Sequence, residues 1–245
     1  RAMAKFSQIR NAMVFAFAML GLWGPPLPWE QAAMSAGVCV VHGAAAGLLA
    51  LFIVPVLESV FGVVTNFRLS ELEDVNHPLL RQMLERAPGT YMHTQNVARL
   101  AASAAEAVGA NVLLTRVGVL YHDLGKMVRP EYFTENEANS KLFHDRVSPA
   151  VSAMIIISHV KEGVILARQY NLPRVFEDFI TGHHGTSMVG YFYRMAKIQA
   201  KEGERVDESQ FRYPGPKPQT REAALVAIAD LVEAAGRAKL DELLS

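Results

Sequence analysis

The 245-residue chain lacks several features that would place it in large classes of protein. Its only cysteine is Cys39, which excludes an intrachain disulfide and a zinc site built from several cysteines. Its 24 basic residues are balanced by 24 acidic ones, so no excess of positive charge predicts a nucleic-acid polymer as partner. It contains no Walker loop and no dinucleotide-binding glycine motif. No alternating pattern typical of a strand is longer than four residues.

The first quarter of the chain is apolar enough to enter a membrane. The only formal charge in residues 32–64 is Glu58, and a membrane-spanning helix needs about 20 apolar residues. A second charge-free stretch covers residues 11–29, and prolines are expected to end its helix near Gly24. We therefore predict that residues 1–66 hold two transmembrane helices of a larger membrane region. The alternative is a buried hairpin of a soluble protein.

Basic residues lie on the outer sides of this apolar region. Arg1, Lys5 and Arg10 precede the first predicted helix, and Arg68 follows the second. Short loops rich in lysine and arginine stay in the cytoplasm, so both outer ends are predicted to be cytoplasmic and the turn between the helices external. Residues 67–245 should then form a cytoplasmic domain.

That second part of the chain is predicted to be helical throughout. Apolar residues recur at steps of three or four, which is the spacing of an amphipathic helix. Helix starts are indicated by Asn111, by Ser148 followed by Pro149, and by Thr220. Residues 202–219 are polar and rich in proline, and are predicted to form a loop. The predicted fold class is all-α.

Polar residues occupy positions of these helices that should face the core. They comprise five imidazoles and two carboxylates, namely His93, His122, Asp123, His159, His183, His184 and Asp230. One histidine on an apolar face is usually a hydrogen-bonded core residue. An unpaired buried polar group costs about 1–3 kcal/mol, however, and a domain is stable by only about 5–15 kcal/mol. Groups this numerous must satisfy one another, and two first-row metal ions do so most simply.

Three other residues are assigned no part in this set. His77 and His144 fit no inward-facing row and are interpreted as surface or capping residues. Asp145 follows His144, so these two residues repeat the adjacent His-Asp pair of His122 and Asp123. This second doublet lies in a polar loop before Pro149 and is interpreted as coincidental.

Two divalent ions about 3.5–4 Å apart can share a carboxylate and a hydroxide, and they lower the pKa of water toward ~7. Asp123 is the predicted bridge, because each of its two oxygens can hold one ion. Lys126 follows three residues later and is placed to meet a phosphate as a point charge. The predicted chemistry is hydrolysis of a phosphoester, with Asp123 and Lys126 as the catalytic residues.

Six stretches of the helical part carry a resemblance to a known family. They are Asn76–Leu80, Ala87–Tyr91, Tyr121–Met127, Ile155–Lys161, Gly182–Ser187 and Phe211–Gln219. Together with the histidine and aspartate set, they resemble the HD superfamily of metal-dependent phosphohydrolases. More closely, the chain is similar to the membrane-anchored seven-transmembrane HD family, the PgpH-type cyclic di-AMP phosphodiesterases of bacteria.

The resemblance implies an all-helical HD fold preceded by a transmembrane hairpin, and a site for two ions, iron or manganese. It implies cleavage of cyclic di-AMP to linear pApA by attack of a metal-bridging hydroxide on phosphorus. It also implies a multi-pass protein of the bacterial inner membrane with its HD domain in the cytoplasm, and five more membrane helices and an extracytoplasmic domain before Arg1. The expected partners are the cyclic dinucleotide and the lipid bilayer, with a homodimer as a further option.

Two aromatic residues of the proline-rich loop, Phe211 and Tyr213, are candidate substrate contacts together with Lys126. Stacking of a base on an aromatic side chain is worth about 1–3 kcal/mol. The alternative is that these two rings only pack the loop against neighbouring helices.

Other functions remain open at this point. A cyclic di-GMP hydrolase of the related HD-GYP type would carry Gly-Tyr-Pro shortly after its double histidine, and none is present here. A one-metal HD enzyme acting on nucleoside polyphosphates would not need His159, His183 and His184. A non-catalytic nucleotide receptor at the membrane would be expected to have lost some of the seven residues.

Overall fold

The computed structural model describes residues 29–137, 140–201 and 203–244. The chain divides into one compact unit that ends at Phe61 and a second that begins at Gly62. The first predicted transmembrane helix, the turn after it and the basic residues before it lie outside the described residues. Their prediction therefore stays a prediction.

The first unit contributes one long helix, α1, which covers Trp29–Phe61. Within it, Ala36–Glu58 is apolar enough and long enough to cross a membrane, and none of it is buried. One other helix, Pro149–Gln169, passes the same test of length and composition, but it is partly buried within the second unit. That helix carries His159 in the core, so its apolar character serves packing rather than a membrane.

The second unit is helical, and the predicted all-α class is confirmed. Its α-helices in chain order are α2 (Asn66–Glu73), α3 (Pro78–Arg86), α4 (Pro88–Val108), α5 (Val112–His122), α6 (Ser140–His144), α7 (Pro149–Gln169), α8 (Val175–Gly182), α9 (Gly190–Gln199) and α10 (Arg221–Leu244). Short 3-10 helices cover Leu124–Val128, Pro130–Tyr132 and Glu208–Phe211. Across the described ranges, the β-type pairing is limited to an isolated bridge between Met188 and Arg212.

The helices begin where the side chains can satisfy the free N–H groups of a first turn. Asn111 accepts a hydrogen bond from the Leu114 N–H at 3.0 Å, and Thr220 accepts one from the Ala223 N–H at 3.1 Å. Gly109 ends α4 in the left-handed conformation at φ 68°, which glycine adopts without steric cost. These local signals set the lengths of the helices that carry the site.

The core lies between α2, α3, α4, α5, α7, α8 and α10. Its largest buried side chains include Tyr121, Phe176 and Phe179. The Tyr121 hydroxyl donates to the Leu72 carbonyl at 2.7 Å, so its one polar group is satisfied inside the core. This packing fixes the end of α5, where His122 and Asp123 follow.

Gly125 allows the 3-10 helix after Asp123 to lie directly on α7. A Cβ atom at Gly125 would lie 1.8 Å from the His159 carbonyl oxygen and 2.7 Å from the Gly163 nitrogen. Only a residue without a side chain permits this approach of two backbones. The contact brings Asp123 and His159, which are 36 positions apart in the numbering, to the same place.

We expect Gly125→Ala to destabilise the second unit by at least about 1–3 kcal/mol, because the added methyl group must push two backbones apart. The measurement is the midpoint of thermal unfolding of the chain in detergent. Gly236→Ala is the control, since a Cβ there meets nothing within 4 Å on an exposed turn of α10. Alanine favours a helix over glycine by roughly 0.8–1 kcal/mol, so the control should raise the midpoint. Equal midpoints for Gly125→Ala and the wild type would show that the two backbones can move apart at little cost in stability.

Candidate metal centre

The seven residues predicted from the sequence lie together as two adjacent groups. In each group, the potential ligand atoms lie within 4.8 Å of one another. The first group is His93, His122 and Asp230. The second group is Asp123, His159, His183 and His184. A metal ligand must also direct a lone pair of its nitrogen or oxygen atom toward the ion.

These side chains come from five helices or helix ends. His93 lies in α4, His122 is the last residue of α5, and Asp123 follows it directly. His159 lies in the middle of α7, and His183 and His184 follow the end of α8. Asp230 lies in α10. The residues at two helix ends thus meet residues from three long helices in one place.

Three of the histidines are oriented by their own helices. The Nδ1 atoms of His122, His159 and His183 lie 2.7, 2.6 and 3.1 Å from the carbonyl oxygens of Val119, Ile156 and Phe179. A carbonyl oxygen only accepts, so Nδ1 carries the proton in each ring. The Nε2 atoms are then left to present a lone pair to the centre, as a metal ligand must.

Asp123 lies between the two groups, and each of its oxygens faces a different one. Oδ2 is 3.2 Å from His122 Nε2 and 3.6 Å from His93 Nε2. Oδ1 is 3.3 Å from His159 Nε2 and 3.6 Å from His183 Nε2. This is the geometry of a carboxylate that two cations can share.

The residues fit divalent metal ions. Within the described part of the chain, His93 Nε2, His122 Nε2 and Asp123 Oδ1 are buried and have no hydrogen-bond partner. The Nε2 atoms of His159 and His183 face each other at 3.4 Å, although both rings carry their proton on Nδ1. Lone pairs that converge without a donor are unfavourable unless a cation lies among them. His159 and His183 in the second group, and His93 and His122 in the first, supply such lone pairs.

The charges of the site favour a cation in the first group. Burial lowers the pKa of His122, but the Asp123 and Asp230 carboxylates outweigh it and raise that pKa to about 10. Burial also opposes ionisation of Asp123, yet His122 and Lys126 hold its pKa well below the ordinary value. Burial opposes ionisation of Asp230 as well, but the nearby His122 and His93 imidazoles hold its pKa below the ordinary value. Both carboxylates are therefore charged, and without a metal ion they favour a proton on His122 Nε2, which a divalent ion would displace.

His183 and His184 of the second group stay neutral. Burial, together with the nearby His122 imidazole, lowers the pKa of His183 to about 3. Burial and the neighbouring His183 and His159 lower the pKa of His184 well below its ordinary value. Neutral imidazoles are the form that binds a metal ion.

Lys126 enters the centre beside Asp123. Its Nζ lies 2.9 Å from Asp123 Oδ2 and 2.7 Å from Glu135 Oε1, and 5.3 Å from the centre of the Phe133 ring. Burial opposes the charge of Lys126, but the two carboxylates raise its pKa. Glu135 was not predicted from the sequence, since it lies in an irregular polar segment that has no periodicity to mark its direction.

The hydrogen-bond partner of His93 Nδ1 is a side chain, unlike the carbonyl partners of His122, His159 and His183. This Nδ1 lies 2.7 Å from Glu233 Oε2, and the same oxygen accepts a hydrogen bond from Arg237 Nη2 at 3.2 Å. The sequence prediction missed Glu233 too. The sequence feature that could have indicated Glu233 is its position three residues after Asp230, which places both carboxylates on one face of α10.

The two aromatic candidates occupy different surroundings. The Tyr213 ring stacks on His184, with 4.2 Å between ring centres and 28° between planes. Phe211 is only 1% exposed, and its ring packs against Tyr193. Tyr213 therefore borders the second group, whereas Phe211 has no open face in this structure.

His77 and His144 lie outside both groups. His77 Nδ1 contacts the Tyr121 hydroxyl at 3.0 Å, at the start of α3. His144 Nδ1 and Nε2 contact the Ser152 hydroxyl and the Tyr132 carbonyl, both at 3.0 Å. Both histidines are half-buried and join neighbouring elements, so neither is an open surface residue, and His77 makes no side-chain cap to its helix.

Comparison with known families gives a match to the HD domain over residues 90–235. Two curated relatives are named cyclic-di-AMP phosphodiesterase PgpH. The Bacillus subtilis protein is 50% identical over 198 residues, which are 81% of this chain and 27% of that protein. The Listeria monocytogenes protein is 40% identical over 233 residues, 95% of this chain and 32% of that protein. The chain thus spans about a quarter to a third of the length of these relatives.

Solved structures agree with this match. The crystal structure of the L. monocytogenes phosphodiesterase PgpH HD domain is 48% identical to this chain, with a TM-score of 0.61 over 66% of this chain and 74% of that one. The same HD domain in complex with cyclic-di-AMP gives a TM-score of 0.62, with 48% identity over 66% of this chain and 73% of that one. The matched fold is thus an HD domain.

The family match covers more than half of the chain, and it includes both groups of the candidate centre. The resemblance found in the sequence is confirmed, and the chain belongs to the HD-domain family.

Proposed function

We propose that this chain is a metal-dependent phosphodiesterase that hydrolyses cyclic di-AMP to linear pApA. The observation that carries the proposal is the position of Asp123, whose two oxygens face two separate groups of imidazoles. The substrate is supported by two relatives named cyclic-di-AMP phosphodiesterase and by an HD domain solved with that dinucleotide.

The first group would hold one divalent ion and the second group another, with Asp123 shared between them. Two such ions neutralise charge on a phosphoryl oxygen and lower the pKa of water toward ~7 when bound. The donors are imidazole nitrogens and carboxylate oxygens without a thiolate, a mixture that suits first-row divalent ions. Among these we propose iron or manganese, which the resemblance to the seven-transmembrane HD family implies.

Around these ions, the chain's own residues orient the substrate. Lys126 supplies a fixed ammonium beside Asp123, where one phosphodiester of the dinucleotide would lie. Glu135 and Phe133 hold that ammonium in place. Tyr213, stacked on His184, forms an aromatic wall of the site. Phe211 is left out of the proposed substrate contacts because its ring is buried against Tyr193.

We propose a membrane location for the chain from its composition. Residues 1–66 would contribute two transmembrane helices, of which α1 is the second, and residues 67–245 would form the HD domain in the cytoplasm of a bacterial cell. The support is the apolar span Ala36–Glu58, none of which is buried, and the distribution of basic residues around it. The lipid bilayer is the partner that such an exposed apolar helix requires.

The substrate is tested by initial rates on cyclic di-AMP, cyclic di-GMP and a nucleoside polyphosphate at equal concentration with Mn²⁺. We expect the fastest hydrolysis on cyclic di-AMP, with pApA as product. A preference for another nucleotide would replace the proposed substrate. Binding of cyclic di-AMP without hydrolysis, under metal conditions that load the centre, would favour a receptor instead.

Asp123→Ala should lose at least one metal ion and nearly all hydrolysis while the fold is retained, because the imidazoles of both groups then face cations without their shared carboxylate. Metal content by elemental analysis and the hydrolysis rate measure this. Asp145→Ala makes the same change in the other His-Asp doublet, on an exposed residue, and should leave both readings unchanged. If Asp123→Ala retained two metal ions and most of the activity, Asp123 would not be the carboxylate that the two ions share.

Lys126→Met removes the ammonium but keeps a side chain of similar length. Loss of one fixed donor to developing charge typically lowers kcat by about 100-fold or more, and we expect that loss here. Metal content should not fall, because the substitution removes a positive charge beside Asp123. Lys197→Met, on an exposed lysine of α9, is the matched control. An unchanged kcat would remove Lys126 from the catalytic residues.

A further inference from the structure

Glu233 gives His93 a charged partner at Nδ1, where His122, His159 and His183 have a backbone carbonyl. His122, His159 and His183 each donate from Nδ1 to a backbone carbonyl, whereas His93 donates to the Glu233 carboxylate at 2.7 Å. A carboxylate behind a ligating histidine fixes the ring and makes its other nitrogen a stronger donor of electrons. The His93 ring is therefore held by a charged side chain from another helix, whereas the rings of His122, His159 and His183 are held by carbonyls of their own helices or helix ends.

Helix α10 holds the His93 ring from both sides. Asp230 Oδ1 lies 3.0 Å from Nε2, and Glu233 Oε2 lies 2.7 Å from Nδ1 of the same ring. The two acids are three residues apart, so they project from one face of the helix. Arg237, one turn further on, donates to Glu233 Oε2 at 3.2 Å and keeps the carboxylate directed at His93.

The two groups consequently differ in charge. The first contains Asp230 and has Glu233, which is paired with Arg237, directly behind it, while the second contains three imidazoles and shares only Asp123. The positive charge nearest to Asp123, on Lys126, is paired with Glu135. A divalent ion is attracted more strongly to the more negative of two otherwise similar sets of donors.

We propose that Glu233 is a positioning residue that makes the metal position of His93, His122 and Asp230 the tighter of the two; this rests on the metal centre proposed above. The first ion added to the empty protein then fills that position. The position of His159, His183 and His184 fills second.

The test is a titration of the metal-free chain with Mn²⁺, with free Mn²⁺ measured by electron paramagnetic resonance in the absence of nucleotide. We expect two binding steps of unequal affinity in the wild type. Asp230→Asn should abolish or weaken the tighter step, and His184→Ala should act on the weaker step, which assigns each step to a group.

Glu233→Gln keeps the size of the side chain and an acceptor for Nδ1 but removes the charge. We expect it to weaken the tighter step by about 10–100-fold and to leave the weaker step unchanged. Glu233→Asp keeps the charge but withdraws it from Nδ1, and should give a smaller loss at the same step. The control is Glu85→Gln, which makes the same charge change in an exposed surface pair with Arg81 and should alter neither step.

Several results would overturn the inference. They are equal affinities at the two wild-type steps, an unchanged tighter step in both Glu233 variants, or an effect confined to the step assigned to His184. Two unequal Mn²⁺ steps in a chain that does not cleave cyclic di-AMP would contradict the proposed activity and still support the inference. Absence of any Mn²⁺ binding by the wild type would overturn the proposed centre together with it.

Discussion

The buried carboxylate of Asp123 is the interaction on which the rest of the site depends. It lies among imidazole nitrogens contributed by α4, α5, α7 and the end of α8, and its two oxygens face different sets of them. A charge buried to this extent is unfavourable unless opposite charge lies beside it. Lys126 supplies one positive charge, and the unpartnered atoms around Asp123 show where more is needed. The constraint is electrostatic, and a pair of cations meets it most directly.

The helices orient the site as well as assembling it. A histidine whose Nδ1 donates to a carbonyl one turn earlier has its ring fixed by the helix that carries it, as in His122 and His159. The direction of each Nε2 lone pair then follows from helix packing. Gly125 is part of the same arrangement, because its missing side chain lets the segment after Asp123 touch α7 at His159. Site geometry and fold stability therefore depend on the same contacts.

Membership in the HD-domain family and the geometry of the centre support each other by independent routes. The match covers residues 90–235, and all seven residues of the two groups fall within it. The chain accounts for about a quarter to a third of the PgpH proteins it matches, so the activity of a whole relative enters here as a proposal. What the structure adds is the inequality of the two groups, since only the first has carboxylates on α10 at both edges of a histidine ring.

The sequence by itself determined the helical class and the set of seven polar core residues. Helix caps such as Asn111 and Thr220 are local, and periodicity shows which side chains of a helix face inward, so both could be read without a fold. Tertiary structure alone decided which partners these residues meet. Glu135 meets Lys126 across an irregular loop, and Glu233 meets His93 over 140 positions of chain, distances at which periodicity carries no information. Tertiary structure also gave Phe211 and Tyr213 different surroundings, since Phe211 is buried against Tyr193 and Tyr213 stacks on His184. Two neighbouring aromatic residues of one loop can be distinguished only by what packs against them.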